Sequence, residues 1–231
     1  AETTAAQADV KEGMSFGSEF QADSNSPMCG YNVFPDDKDI PCFKASINKF
    51  MSRMNELGNV ISNAFFMEFD GGEKFLKSTF NPPFYIMNLW HYPSNPGRGQ
   101  YGIGEHTDYE SFTFILQDDI GGLQMQKRDG SWIDVPPQEG TFVVMIGDVM
   151  ECWTKGLYRA PIHRVKNTAE KSRYSVAFFY QPSLDTMVKP LEIPEILERE
   201  FKPTRSDITL PFYYGQRLHM NYLNFFPPPN I

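Results

Sequence analysis

At 231 residues, with 41% hydrophobic and 15% aromatic content, the chain suits one globular domain and not a disordered segment. Its 29 acidic against 21 basic residues leave a formal charge of −8, and no Lys/Arg run exceeds two residues, which argues against a phosphate-tracking nucleic-acid surface. Apolar runs such as "FVVMI" (142–146) are strand-sized, far short of the roughly 20 residues of a membrane span, and three scattered cysteines (Cys29, Cys42 and Cys152) with no CxxC suit a reducing, cytoplasmic compartment over a disulfide framework.

The opening "AETTAAQADV" has neither an initiator Met nor a basic-plus-apolar signal pattern; a trimmed N-terminus is expected. Residues 1–38 are polar and turn-rich and read as an arm wrapping the domain. A helix follows. Phe43, Ile47, Phe50, Met51, Met54, Leu57, Ile61, Ala64 and Phe65 recur at three- and four-residue steps, with Asp39 and Pro41 as the expected start. That apolar stripe is core packing.

From residue 84 the period changes to two. "FYIMNLWHY", "SFTFILQ", "GLQMQ", "SWIDV", "TFVVMI", "IHRVK" and "RYSVAFFY" are short, rich in β-branched and aromatic residues, and divided by turn residues. "NPPF" (81–84) and "YPSNPGRG" (92–99) read as loops. Short strands in this density after one long helix predict a mostly β fold with helices, a sandwich or jelly roll backed by the helix. The tail "LPFYYGQRLHMNYLNFF" mixes helical spacing with aromatics until "PPPN" stops it. One domain over 1–231 is expected: arm and helical support in 1–83, β core in 84–183, a helical and aromatic segment in 184–231.

"GIGEHTDYESF" (102–112) sets His106 and Asp108 two apart in a strand-like stretch, so both side chains project from one face. His163, in "APIHRVK", can be brought alongside by the sheet. Two imidazoles and a carboxylate make a facial triad, which holds Fe(II) and leaves up to three positions open. The same residues also suit a catalytic zinc, and a lone H-x-D or a lone core histidine is common. His91 and His219 read as structural. A second pair tips the balance. Arg173 and Ser175, again two apart, share a face with Ala177 and Phe179. A guanidinium aimed into a barrel is costly unless it meets an anion, and its planar fork fits a carboxylate. Tyr92 offers a phenol to the same anion. A 2-oxo acid needs both parts, a metal for one end and a clamp for its far carboxylate.

From residue 84 to 183 the chain resembles the isopenicillin N synthase-like branch of the Fe(II)/2-oxoglutarate-dependent dioxygenases. The resemblance rests on "HYP", "GEHTDYESFTFILQD", "GGLQMQKRDGSWIDVPPQEGTFVVMIGD", "HRV" and "RYSVAFFYQP". It implies a double-stranded β-helix core, iron on His106, Asp108 and His163, and 2-oxoglutarate on Arg173, Ser175 and Tyr92. It also implies O2 as oxidant, ascorbate as accessory reductant, and succinate and CO2 as coproducts of oxidising a small organic molecule. Hydroxylation, desaturation and ring closure all stay open. The chain departs from the family where Trp90 replaces a frequent asparagine, and where it begins later than usual. Phe179, Glu105 and Tyr109 are substrate candidates, and Phe212, Tyr213 and Tyr214 could cover the barrel mouth. A monomer is expected, with no nucleic acid or membrane partner. The rivals are an oxidase of the isopenicillin N synthase kind without 2-oxoglutarate, a zinc hydrolase, and a non-catalytic jelly-roll binding module.

Overall fold

The computed structural model describes residues 3–4, 7–19, 27–67, 69–94, 101–166 and 170–225. Two short strands, β1 (Thr3–Thr4) and β2 (Gln7–Ala8), precede β3 (Glu12–Gly17). Helices α1 (Phe43–Phe66) and α2 (Gly72–Thr79) lead into β4 (Phe84–Tyr92), β5 (Ile103–His106), β6 (Phe112–Gln117), β7 (Leu123–Gln126), β8 (Trp132–Asp134) and β9 (Val143–Ile146). Then come α3 (Asp148–Trp153), β10 (His163–Val165), β11 (Arg173–Gln181), β12 (Met187–Val188), α4 (Pro194–Leu197), β13 (Phe212–Tyr213) and α5 (Tyr214–Phe225). The expected loop at 92–99 lies mostly outside the described residues, as do part of the arm and the proline stop at 227–230.

Two antiparallel sheets face each other as a jelly roll. One has the order β3-β4-β11-β6-β9 and the other β5-β10-β7-β8. Alternating β-branched and aromatic side chains favour such half-buried strands, and every strand expected from residue 84 onward forms. The arm is a correction. Within it, "EGMSFG" is β3, paired with β4 through Gly13↔Trp90 and Ser15↔Asn88, and it completes the edge of the larger sheet.

Helix α1 packs across the back of that sheet through Ile47, Met51, Met54, Gly58, Ser62 and Phe66. Of the expected stripe only Ala64 is exposed, and Gly58, Ser62 and Phe66 join it, Gly58 because a side chain there would run into the Tyr180 ring. The helix starts later than Asp39 because Cys42, at φ 62°, adopts a left-handed conformation that breaks the turn before it. Between helices and sheet, Trp153 packs against Phe66, Phe75 and Phe80 with ring centroids 5.6, 5.1 and 5.8 Å away. A second, smaller cluster of Tyr92, Ile115, Leu123, Met145 and Val165 fills the space between the sheets and floors the site. No helix among the described residues is long and apolar enough to cross a membrane.

Candidate metal and cosubstrate site

Strand register assembles the site. In the β5–β10 pair His163 lies directly opposite His106, which closes a gap of many residues in one cross-strand contact. Strand β5 ends at His106, so Asp108 sits just beyond it, in a turn fastened from behind. The backbone N–H of Asp148 donates to the Asp108 carbonyl at 2.8 Å, and that of Val149 to the Glu110 carbonyl at 3.2 Å. These are first-turn donors of α3, which have no partner inside their own helix. Gly147 makes the approach possible, since any Cβ there would collide with the Glu110 carbonyl.

The three side chains converge. Asp108 Oδ1 lies 3.5 Å from Nε2 of His106 and 3.5 Å from Nε2 of His163. All three candidate ligand atoms fall within 4.8 Å of one another. Each imidazole is oriented by its other nitrogen: His106 Nδ1 faces the Gly104 carbonyl at 2.8 Å, and His163 Nδ1 faces the Pro161 carbonyl at 3.2 Å. A proton on each Nδ1 leaves both Nε2 lone pairs aimed at the common centre, the usual outer-shell arrangement of a metal site. Thr113 Oγ1 donates to Asp108 Oδ2 at 2.6 Å, which leaves Oδ1 for a single bond to a metal.

Burial opposes the charge on Asp108, yet the two imidazoles and Thr113 hold the carboxyl well below its usual range. Burial lowers His163 to about 4, so it is neutral and able to ligate at ordinary pH. His106 is also pressed down by burial, but the Asp108 carboxylate outweighs that and raises it.

The anion clamp lies along the other sheet. In the β4–β11 pair Arg173 faces Tyr92 and Ser175 faces Trp90. Arg173 is 1% exposed; its Nη2 donates to Gln117 Oε1 at 2.9 Å, while Nε and Nη1 have no hydrogen-bond partner. A fully buried guanidinium with two idle donors is expensive unless a ligand engages them. The guanidinium rests over the Tyr92 ring, 4.9 Å from its centroid. Burial pushes the Tyr92 phenol up to about 12, against the pull of Arg173, so it stays a donor. A narrow cleft lined by Tyr92, Arg173, Ser175, His106, Asp108 and His163 joins clamp to triad.

A profile of the 2OG-Fe(II) oxygenase superfamily matches residues 83–182, the stretch that carries both triad and clamp. The chain belongs to this superfamily. It is 32% identical over 233 residues to a probable iron/ascorbate oxidoreductase of Dictyostelium discoideum, covering 89% of this chain and 63% of that protein. It is 35% identical over 179 residues to a homoarginine-6-hydroxylase of Glycine max, covering 74% of this chain and 54% of the relative. A Neurospora crassa protein solved in complex with alpha-KG superposes with a TM-score of 0.76 at 28% identity, over 92% of this chain and 66% of that one. The chain thus spans about 54–63% of the length of these two curated relatives.

The superfamily's cofactors are iron(II) and 2-oxoglutarate, and the residues of this chain fit both. Two neutral imidazoles and one carboxylate oxygen suit Fe(II), and the idle Arg173 donors suit a carboxylate. Beside the cleft a cavity of about 500 Å³ is lined by Ile86, Asn88, Trp90, Tyr109, Glu110 and Phe179, with β3 on one flank and Leu218 and Tyr222 of α5 on another. Of the residues singled out as substrate candidates, Tyr109 and Phe179 are on its wall. Glu105 is not. Strand alternation turns it away from His106, and it is exposed and paired with Arg164 at 2.9 Å. Tyr214 is buried and donates to Gln181 Oε1 at 2.8 Å, so the covering is done by Leu218 and Tyr222 instead. His91 lies apart from the triad, against Glu12 and the Tyr174 ring. Sequence reasoning passed over Asn88, Glu110 and the β3 segment as cavity wall.

Behind the triad, burial lifts Asp148 to about 7, with nearby Glu151 and Asp108 adding to it and Thr107 and Arg205 opposing. Because the folded carboxyl holds its proton while the unfolded one has released it, the metal-free protein should lose stability as pH rises from about 4 to 7. Asp148→Asn should flatten that slope and stabilise the protein at pH 8 by about 2–4 kcal/mol. Urea unfolding of both forms across this range checks the sign; a slope unchanged in the variant would contradict it.

Proposed function

We propose that this chain oxidises a small organic molecule with O2, using Fe(II) on His106, Asp108 and His163 and 2-oxoglutarate held by Arg173, Ser175 and Tyr92. The observation that carries the reading is the union, in one cleft, of a triad with an open face and a buried guanidinium with two idle donors. When bound, iron and 2-oxoglutarate supply the oxidising power: O2 delivers one oxygen atom to succinate, formed with loss of CO2, and the other to the substrate or to water. The chain's own part is placement. Arg173 fixes the far carboxylate through its idle donors, Ser175 and Tyr92 complete the clamp, and the apolar floor of Ile115, Leu123 and Val165 keeps water out. Thr113 holds Asp108 to one ligating oxygen, and the carbonyls of Gly104 and Pro161 hold the imidazole tautomers.

Three widely spaced cysteines support a cytoplasmic setting, and a net charge of −8 supports a small-molecule partner over nucleic acid. We read the working form as a monomer.

Anaerobic protein given Fe(II) and 2-oxoglutarate should develop a weak visible metal-to-ligand band, and admission of air should yield succinate even without the true substrate. If folded, iron-loaded protein shows neither, Arg173 and Ser175 clamp a carboxylate of the substrate itself, and the oxidase alternative replaces this reading.

A further inference from the structure

Each imidazole of the triad is aimed by a backbone carbonyl two residues ahead of it, and the residues that supply those carbonyls are unlike. His163 Nδ1 faces the carbonyl of Pro161, whose ring fixes its own φ. His106 Nδ1 faces the carbonyl of Gly104, the residue type with the most conformational freedom. A metal ligand aimed by a glycine needs that glycine held from outside.

The hold comes from the segment ahead of β3, which runs along β5, the edge strand of the smaller sheet. The Val10 N–H donates to the Tyr101 carbonyl at 3.0 Å, and the Gly104 N–H donates to Asp9 Oδ1 at 3.2 Å. The Asp9 side chain is 2% exposed, and its Oδ2 lies 3.4 Å from Lys11 Nζ. Lys11 is anchored in turn, with Nζ 4.4 Å from the centroid of the Trp90 ring. Asp9, Lys11 and Trp90 all line the large cavity together with His106. An ion pair taken out of water often contributes no more stability than apolar side chains of similar volume. This one is set where it grips the residue that aims His106.

We propose that Asp9 is a positioning residue of the metal site. By accepting the Gly104 N–H it fixes that glycine, the glycine carbonyl fixes the His106 ring, and Lys11 holds Asp9 in place. Three links then join the segment ahead of β3 to the metal: Lys11 to Asp9, Asp9 to Gly104, and Gly104 to His106. His163 lies outside this chain and serves as an internal control. The proposal rests on the reading of His106, Asp108 and His163 as metal ligands and adds the residue that keeps one of them on target.

Co(II) is the probe, because it fills such a site without being oxidised and shifts the exchangeable imidazole N–H protons of bound histidines clear of the other proton signals. Wild-type protein should show two such signals. In Asp9→Ala, Co(II) affinity should fall about tenfold, the lower end of the range for losing a bond behind a metal ligand. One N–H signal should move or exchange faster while the other stays. Asp9→Asn keeps an oxygen for the Gly104 N–H and should restore affinity to within about threefold of wild type. Lys11→Met leaves the acceptor but removes its holder, so the same signal should move by less. The proposal is overturned if Asp9→Ala binds Co(II) like wild type, if both signals move alike, or if Asp9→Asn is as damaging as Asp9→Ala. Should Asp9→Ala fold poorly, Lys11→Met decides alone, and movement of both signals or of neither is equally fatal. Wild-type protein that takes up no Co(II) overturns the metal reading and this proposal together; uptake without the expected change in the variants overturns the Asp9 assignment alone.

Discussion

His106→Ala and Asp108→Ala are each expected to abolish succinate formation while leaving the fold intact. The reasoning starts from the outer bonds. Loss of a group that merely orients a metal ligand typically costs about 10–100-fold in metal affinity or activity. Thr113→Val, which removes the 2.6 Å bond to Asp108 Oδ2, should fall in that range. Removing a ligand itself should cost more than about 100-fold in Fe(II) affinity, since a facial triad has only three protein bonds to lose. The fold should tolerate it, because neither side chain belongs to either apolar cluster and the turn at 108–110 is held by backbone donors from Asp148 and Val149. Metal content, circular dichroism and succinate yield settle the matter together; turnover like that of the wild type in either variant would remove the residue from the metal site. Acid should act in the same direction. His106 is raised from its ordinary value by Asp108, so protons begin to compete with the metal at or above about pH 6.5, and affinity should weaken steadily below that.

Arg173→Lys is expected to weaken 2-oxoglutarate binding by about 10- to 150-fold, or roughly 1.5–3 kcal/mol. Lysine keeps the charge and loses the fork. It cannot supply the several donors of a planar guanidinium, of which Nε and Nη1 are idle, nor keep that group's place over the Tyr92 ring. Ser175→Ala removes one neutral donor and should cost less. Titration of the visible band with 2-oxoglutarate gives both dissociation constants. If Ser175→Ala proved the more damaging, the clamp as described would be wrong.

What could be read from residues alone was whatever depends on near neighbours. "FYIMNLWHY" and "RYSVAFFYQ" announce β4 and β11 because alternation is local, and H-x-D and R-x-S place two side chains on one face whatever the sheet does. Strand β3 escaped because "EGMSFG", with glycine near both ends, has little pattern of its own and becomes a strand only by pairing with β4, far along the chain. Helix α3 escaped because six residues, all buried, show no amphipathic period. Glu110 stood in full view beside Asp108. Its burial on the cavity wall is set by packing that no spacing rule conveys.

The cavity's walls have a consequence for how such an enzyme can diversify. The triad and the clamp are held by register between β4 and β11 and between β5 and β10, so a slip of one residue there would scatter them. Part of the wall of the larger cavity comes from β3 and from Leu218 and Tyr222 of α5, elements at low and high residue numbers that hold no part of the triad or clamp. Mutational drift in those two elements can retune what is admitted while the oxygen chemistry is inherited unchanged. A library confined to residues 12–15 and 214–222 would search substrate range with the reactor left alone.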